Sequence, residues 1–175
     1  VDLVAMASQH VQHMQKALTQ MNLQFQHVIS DITGLTGLAI LDAVVAGERN
    51  PAVLARLRDP RIKASEETIR KSLEGNWRGE HILALKQRLS LYRSYRDQIN
   101  DCDKEIERLV ATFEPRVAPE ERPLPEDRKK GQRRRSRKKS GNPDFDMRTE
   151  AYRLFGVDLT QIHGIGPSVA LELIA

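Results

Sequence analysis

The sequence predicts an all-α fold, and three observations support this prediction. Apolar residues recur in alternating steps of three and four along two long stretches, which is the spacing of a helix face that packs on another helix. Aromatic residues make up only 5% of the 175 residues and charged residues 30%, a balance that suits solvated helices better than sheets. Glycine and proline follow the periodic stretches, where helices end. The expected order is a long-helix coiled coil with a small helical insert, a basic linker, and the start of a helix-hairpin-helix domain.

The first periodic stretch predicts one helix over residues 1–33, roughly 50 Å long. Its seven-residue repeat runs for five cycles in two series, one with Val4, Val11, Leu18, Phe25 and Ile32, the other with Ala7, Met14, Met21, Val28 and Leu35. This period keeps one seam facing a partner helix. Self-association is therefore expected through Val4, Val11, Met14, Leu18, Met21, Phe25 and Val28. Gly34 and Gly37 are expected to end the helix.

Short helices are predicted between residues 35 and 72. An apolar face at residues 38–45 is closed by Gly47, and Pro51 suits the first turn of the next helix. Ser65 is the expected N-cap of a further helix, which Gly75 ends. Together these elements form the small helical insert.

A second long helix is predicted over residues 79–114. Its seam consists of Leu85, Tyr92, Ile99, Ile106 and Phe113, with Tyr95, Cys102 and Leu109 on a companion line. Cys102 is expected in the core because it lies on this apolar line. The two matched helices predict either an antiparallel pair within the chain or one strand each of an intermolecular bundle, and the sequence leaves both open.

The composition changes at residue 115, where prolines and charges replace apolar residues, so residues 115–144 are predicted to be a flexible linker after a domain of residues 1–114. The linker contains nine cations and no acid within residues 128–139: Arg128, Lys129, Lys130, Arg133, Arg134, Arg135, Arg137, Lys138 and Lys139. These are nine of the 28 lysines and arginines, and the other 19 are outnumbered by 24 acidic residues. The local excess favours a polyanionic partner such as DNA. A nuclear import signal or a solubilising tail are the alternatives.

Residues 145–175 predict the opening of a second domain. Asp146 is the expected cap of a short helix that Gly156 stops, and residues 159–173 have the form of a helix-hairpin-helix. In that motif a glycine-hydrophobic-glycine turn presents backbone N–H groups to a phosphate oxygen. The expected phosphate-binding residues are Gly164, Ile165, Gly166 and Ser168. The alternative is an ordinary junction between a loop and a helix.

No catalytic constellation is evident in the sequence. His10 and His13 lie beside the seam without an acidic or cysteine partner, so they are interpreted as structural or solvent-facing rather than as metal ligands. The acidic residues of residues 101–107 fall on different helix faces, so no metal or other cofactor is expected in this segment. The sequence shows no signal peptide and no apolar run long enough for a bilayer, so a cytoplasmic location without membrane contact is expected.

Several stretches resemble the DEDD-type insertion-sequence transposases, bacterial recombinases of which some are guided by a bridge RNA. The resemblance is carried by residues 10–22 (HVQHMQKALTQMN), 28–34 (VISDITG), 46–51 (AGERNP), 57–61 (LRDPR) and 152–160 (YRLFGVDLT). It implies a parent enzyme with a RuvC-like domain that holds Mg²⁺ on four acids, a coiled-coil middle, and a C-terminal domain with a nucleophilic serine.

The resemblance also implies which part of such an enzyme this chain would be. The acids would precede residue 1 and the serine would follow residue 175, so the chain would be the middle and the opening of the C-terminal domain. Dimers or tetramers on DNA, and a guide RNA, are the implied partners. Two rival hypotheses are a structural coiled-coil scaffold and a helix-hairpin-helix factor of DNA repair or processing.

Overall fold

The computed structural model describes residues 2–125 and 145–173, and within these residues it contains helices and no strand. The elements in chain order are α1 (Leu3–Gln20), α2 (Phe25–Val28), α3 (Leu35–Ala46), α4 (Pro51–Ala55), α5 (Glu66–Ser72), α6 (Gly79–Thr112), α7 (Met147–Phe155), a 3-10 helix (Leu159–Gln161) and α8 (Pro167–Glu172). The all-α prediction is confirmed. The chain divides into two compact units, Val1–Arg96 and Asp97–Ala175, and the division falls inside α6.

The predicted helix ends around the insert and at α7 are confirmed. Ser65 accepts a hydrogen bond from the Thr68 amide at 3.1 Å, and Asp146 accepts one from the Thr149 amide at 3.2 Å. Each bond satisfies an amide that the first helical turn leaves without a partner. Gly47 and Gly156 end α3 and α7 with φ of 111° and 73°, a backbone conformation that glycine adopts without steric cost.

The prediction of one continuous helix over residues 1–33 is wrong. Helix α1 ends at Gln20, and Asn22 has the left-handed φ of 57°. Two backbone hydrogen bonds, both 2.7 Å, then tie this turn to the end of α5: the Gln24 amide donates to the Ser72 carbonyl, and the Asn76 amide donates to the Met21 carbonyl. These tertiary bonds fix the break, although the apolar period continues through it.

Gly34 and Gly37 also differ from their predicted role, because they begin a helix rather than end one. Gly34 is the N-cap of α3 and Gly37 lies inside its first turn. A Cβ on Gly37 would lie 2.2 Å from the Ile32 carbonyl oxygen, so the missing side chain allows α3 to pack directly on the preceding backbone.

The predicted seam residues mostly form the core of the first unit. Met14, Leu18, Met21 and Phe25 are fully enclosed by their own chain. Packed with them are Ile40, Leu41 and Val44 of α3, Leu54 of α4, Ile69 and Leu73 at α5, and Leu85 and Leu89 of α6. Their pattern is thus explained by packing within one chain, and association through these four residues would require the core to open. Self-association itself stays a prediction.

Helix α6 closely matches the predicted second long helix, but its seam is buried over only part of its length. In the second unit Ile99 and Val110 are buried, whereas Ile106, Leu109 and Phe113 are exposed. Cys102 is also exposed, so its predicted place in the core is wrong. Among the described residues, no helix is both long enough and apolar enough to cross a membrane.

Candidate nucleic-acid interface

Helix α7 organises the second unit through the side chain of Arg153. Its guanidinium donates to the carbonyls of Val110 at 2.6 Å and Phe113 at 2.9 Å, near the end of α6. In return, the Arg153 carbonyl accepts from the amides of Arg116 at 2.9 Å and Val117 at 3.3 Å. These bonds satisfy carbonyls that the last turn of a helix leaves without partners. The first residues of the predicted linker are therefore attached to α7.

A second set of polar contacts centres on the carboxylate of Asp158, which is almost fully buried. It accepts from the Thr160 amide at 3.1 Å and hydroxyl at 2.6 Å, from the Gln161 side chain at 2.9 Å, and from the Arg148 guanidinium at 2.5 and 3.2 Å. Burial opposes its ionisation, but the hydrogen bonds from Arg148, Thr160 and Gln161 outweigh burial and hold the pKa of Asp158 well below its usual range.

Asp158 therefore stays ionised and fastens the 3-10 helix to α7. The Arg148 guanidinium also donates to the Pro125 carbonyl at 2.9 Å, which joins the described end of the predicted linker to the same cluster. Sequence reasoning missed this cluster. The sequence feature that could have indicated it is Asp158 itself, an acid directly before the Leu-Thr-Gln segment, where it caps the 3-10 helix.

The predicted phosphate-binding turn lies between the 3-10 helix and α8. Gly164 is exposed and has a φ of 88°, a backbone conformation that favours glycine. Gly166 has an ordinary φ of −94° and is the N-cap of α8. A Cβ on Gly166 would meet nothing within 4 Å, so a side chain there would not block the turn.

The other two residues predicted at this turn are half-buried. Ile165 donates its amide to the Ile162 carbonyl at 3.3 Å, and Ser168 lies in the first turn of α8. Ala170, one turn after Gly166, is fully buried. The first predicted helix of the hairpin is only a three-residue 3-10 helix, and α8 has six residues.

The turn offers backbone N–H groups at an exposed surface but little charge. A helix of six residues has few aligned peptide dipoles, and no side chain among the described residues caps α8. Residues 162–168 include His163 but no lysine, arginine or acid. Attraction of a polyanion must therefore come from elsewhere in the chain. The nine predicted cations of residues 128–139 lie outside the described residues.

Within the described residues, no three histidine, cysteine or acidic side chains are placed to hold a metal ion. Of the acids on α6, Asp101 pairs with Lys104 at 3.2 Å and Glu105 with Arg108 at 2.5 Å. Both are exposed pairs between neighbouring turns, whose role is to solvate the helix face. Comparison of the chain with family models, with curated proteins and with solved structures finds no match in any of the three.

Proposed function

We propose that this chain is the assembly and nucleic-acid-binding region of a DNA transposase or recombinase that moves an insertion sequence. The observation that carries the proposal is the concentration of nine cations and no acid in residues 128–139, within a chain whose other charges are on balance acidic. Such a segment gains affinity for a phosphate backbone by releasing the counterions condensed on it.

The turn at Gly164–Gly166 is the proposed second contact. Its glycines leave open space around the backbone, so a phosphate oxygen can approach the N–H groups that begin α8. The Ser168 hydroxyl adds a donor to the same edge. Contacts of this kind fix the position of a nucleic acid without reading its sequence. Target choice would then depend on other parts of the parent protein or on a guide RNA.

In this proposal the residues that cut and join DNA belong to other parts of the parent protein. The four acids that would bind Mg²⁺ and the nucleophilic serine, which the resemblance implies, have no counterparts among the residues of this chain. The chain would hold DNA, and it would join copies of the enzyme into dimers or tetramers.

The test is the affinity of the full chain for a duplex DNA, measured by fluorescence anisotropy at fixed salt. Replacing the nine cations of residues 128–139 with serine is expected to weaken binding by more than about tenfold, since each lost phosphate contact removes counterion release. Gly166→Ala is expected to weaken binding while leaving the fold intact, because the added Cβ occupies the space a phosphate would enter. Gly79→Ala is the matched control and should bind as the natural chain does.

A structural scaffold is the second candidate function, and one observation favours it. Ile106, Leu109 and Phe113 form an exposed stripe on α6 with the spacing of a coiled-coil seam. The scaffold hypothesis expects no DNA affinity in the assay above. It would be preferred if the natural chain and the nine-serine variant bound DNA equally weakly.

A further inference from the structure

His10 of α1 is buried where α1 meets α6, so of the two predicted roles, structural or solvent-facing, it has the structural one. Its side chain is 6% exposed and its ring stacks on Tyr95 of α6, with centroids 5.3 Å apart and ring planes at 20°. His13, one turn further along α1, meets the His10 ring edge-on at 6.1 Å. The histidine is therefore part of the contact between two helices.

The Nδ1 atom of His10 is buried and has no hydrogen-bond partner among the described residues, and the same is true of Nδ1 of His13. A neutral imidazole accommodates this arrangement by keeping its proton on Nε2 and leaving Nδ1 as an acceptor. A cationic imidazole has protons on both nitrogens. It would bury an N–H donor without an acceptor, and an unsatisfied buried group costs more when it carries a charge.

The charges around His10 also oppose its protonation. Burial has the largest effect, and the Arg88 guanidinium of α6 and His13 of α1 add to it, so the pKa of His10 is lowered from its ordinary value. Stacking on Tyr95 would favour a cation slightly. Among the described residues, the charged or titratable groups that shift this pKa are Arg88 and His13, and neither compensates a positive charge at this contact.

We propose that His10 makes the contact between α1 and α6 sensitive to acid: its neutral ring helps to hold α1 against α6, and a proton on it shifts the equilibrium toward a state in which α1 is detached. When α1 is detached, the imidazole returns to water and to an ordinary pKa of about 6.5. The detached state therefore binds the proton more readily than the closed state. The contact has its full strength above about pH 7 and weakens as the pH falls through 6.5. One proton changes the equilibrium by at most about tenfold per pH unit.

The test is hydrogen exchange of the α1 amides in the full chain between pH 7.5 and 5.5, expressed as protection factors so that the intrinsic pH dependence cancels. Protection in α1 is expected to fall toward acid pH by as much as about tenfold per pH unit. His10→Phe keeps the ring on Tyr95 but cannot bind a proton, so its protection should stay level. His27→Gln, which removes an exposed histidine of α2, should behave as the natural chain does.

Arg88→Gln provides an independent test if His10→Phe does not fold. It leaves the histidine in place and removes a positive charge that lowers the pKa of His10, so the fall in protection toward acid pH should become shallower. The proposal would be overturned by level protection in the natural chain, by an equal fall in His10→Phe, or by an unchanged slope in Arg88→Gln.

Discussion

Two glycines in helical segments have contrasting surroundings. A Cβ on Gly37 would lie 2.2 Å from the Ile32 oxygen and 2.4 Å from its carbonyl carbon, both backbone atoms, whereas a Cβ on Gly79 would meet nothing within 4 Å. Gly37→Ala is therefore expected to destabilise the fold by more than about 2 kcal/mol, because the backbone must shift. Gly79→Ala is expected to be neutral or slightly stabilising. Urea unfolding compares the two, and equal stabilities would contradict the close approach.

The buried carboxylate of Asp158 supports a second prediction at this scale. Asp158→Asn leaves the half-buried Arg148 without its charged partner and weakens the bonds to Thr160 and Gln161, at an expected cost of about 2–4 kcal/mol. Asp101→Asn removes a carboxylate from an exposed pair on α6 and should change stability little. Hydrogen exchange in α7 is the appropriate readout, since it reports on the second unit alone.

The lowered pKa of the Asp158 carboxyl predicts that the stability of the fold decreases at acid pH. Its pKa is lowered in the folded chain, so the unfolded chain takes up the proton first as the pH falls. The contribution of Asp158 is complete above about pH 5 and is lost progressively as the pH drops below about 4. The stability difference between the natural chain and Asp158→Asn should therefore shrink toward pH 2.5. A difference that stayed constant from pH 6 to pH 2.5 would show that Asp158 is not ionised in the fold.

Residues such as Asp158 and His10 show where sequence reasoning ends. The caps at Ser65 and Asp146 were predictable because donor and acceptor lie three residues apart. The importance of Asp158 depends on Arg148, ten residues away, and that of His10 on Tyr95, in a different helix. Nothing in the local pattern indicates such partners.

At the scale of the element, the break after α1 explains why the heptad pattern was misleading. Phe25 and Val28 of α2 continue the three-residue spacing, so the period alone does not show that the helix has stopped. The stop is fixed by the bonds to the Ser72 carbonyl and from the Asn76 amide, about fifty residues further along the chain. The ends of α3 and α7, by contrast, were predictable because glycine marks them locally.

Asn22 provides the test of this break. Its φ of 57° is costly for a residue with a Cβ, so Asn22→Ala is expected to destabilise the chain by about 1 kcal/mol, even though alanine favours helices. Asn22→Gly is the matched control and should be neutral or slightly stabilising. Thermal unfolding distinguishes them, because 1 kcal/mol corresponds to a shift of about 4–8 °C in a domain of this size. An alanine variant at least as stable as the glycine variant would indicate that the helix runs through.

At the scale of the whole molecule, variants of Leu18 and Leu35 distinguish packing within one chain from association between chains. Both belong to the predicted heptad series, yet Leu18 is enclosed in the core and Leu35 is 71% exposed. Leu18→Ala is expected to cost about 2–5 kcal/mol of stability. Leu35→Ala should leave stability nearly unchanged. Sedimentation of both variants completes the test. If the seam is intermolecular, each variant should weaken self-association. If it is a purely internal core, Leu35→Ala should have the same oligomeric state as the natural chain.

The charge distribution leads to a prediction about how DNA binding depends on salt. If about six of the nine cations in residues 128–139 each neutralise a phosphate, the slope of log affinity against log salt on duplex DNA should be about −5. The nine-serine variant should have a much flatter slope, because the remaining contacts at the Gly164–Gly166 turn involve backbone N–H groups without net charge. A variant with serine at Lys104 and Arg108 is the matched control, since both cations already pair with acids on α6, and it should keep the slope of the natural chain. Two outcomes would mean that residues 128–139 do not contact phosphate: binding that does not respond to salt, or a slope that is the same in the nine-serine variant. The structural scaffold would then be the better explanation of the chain, because α6 has an exposed apolar stripe.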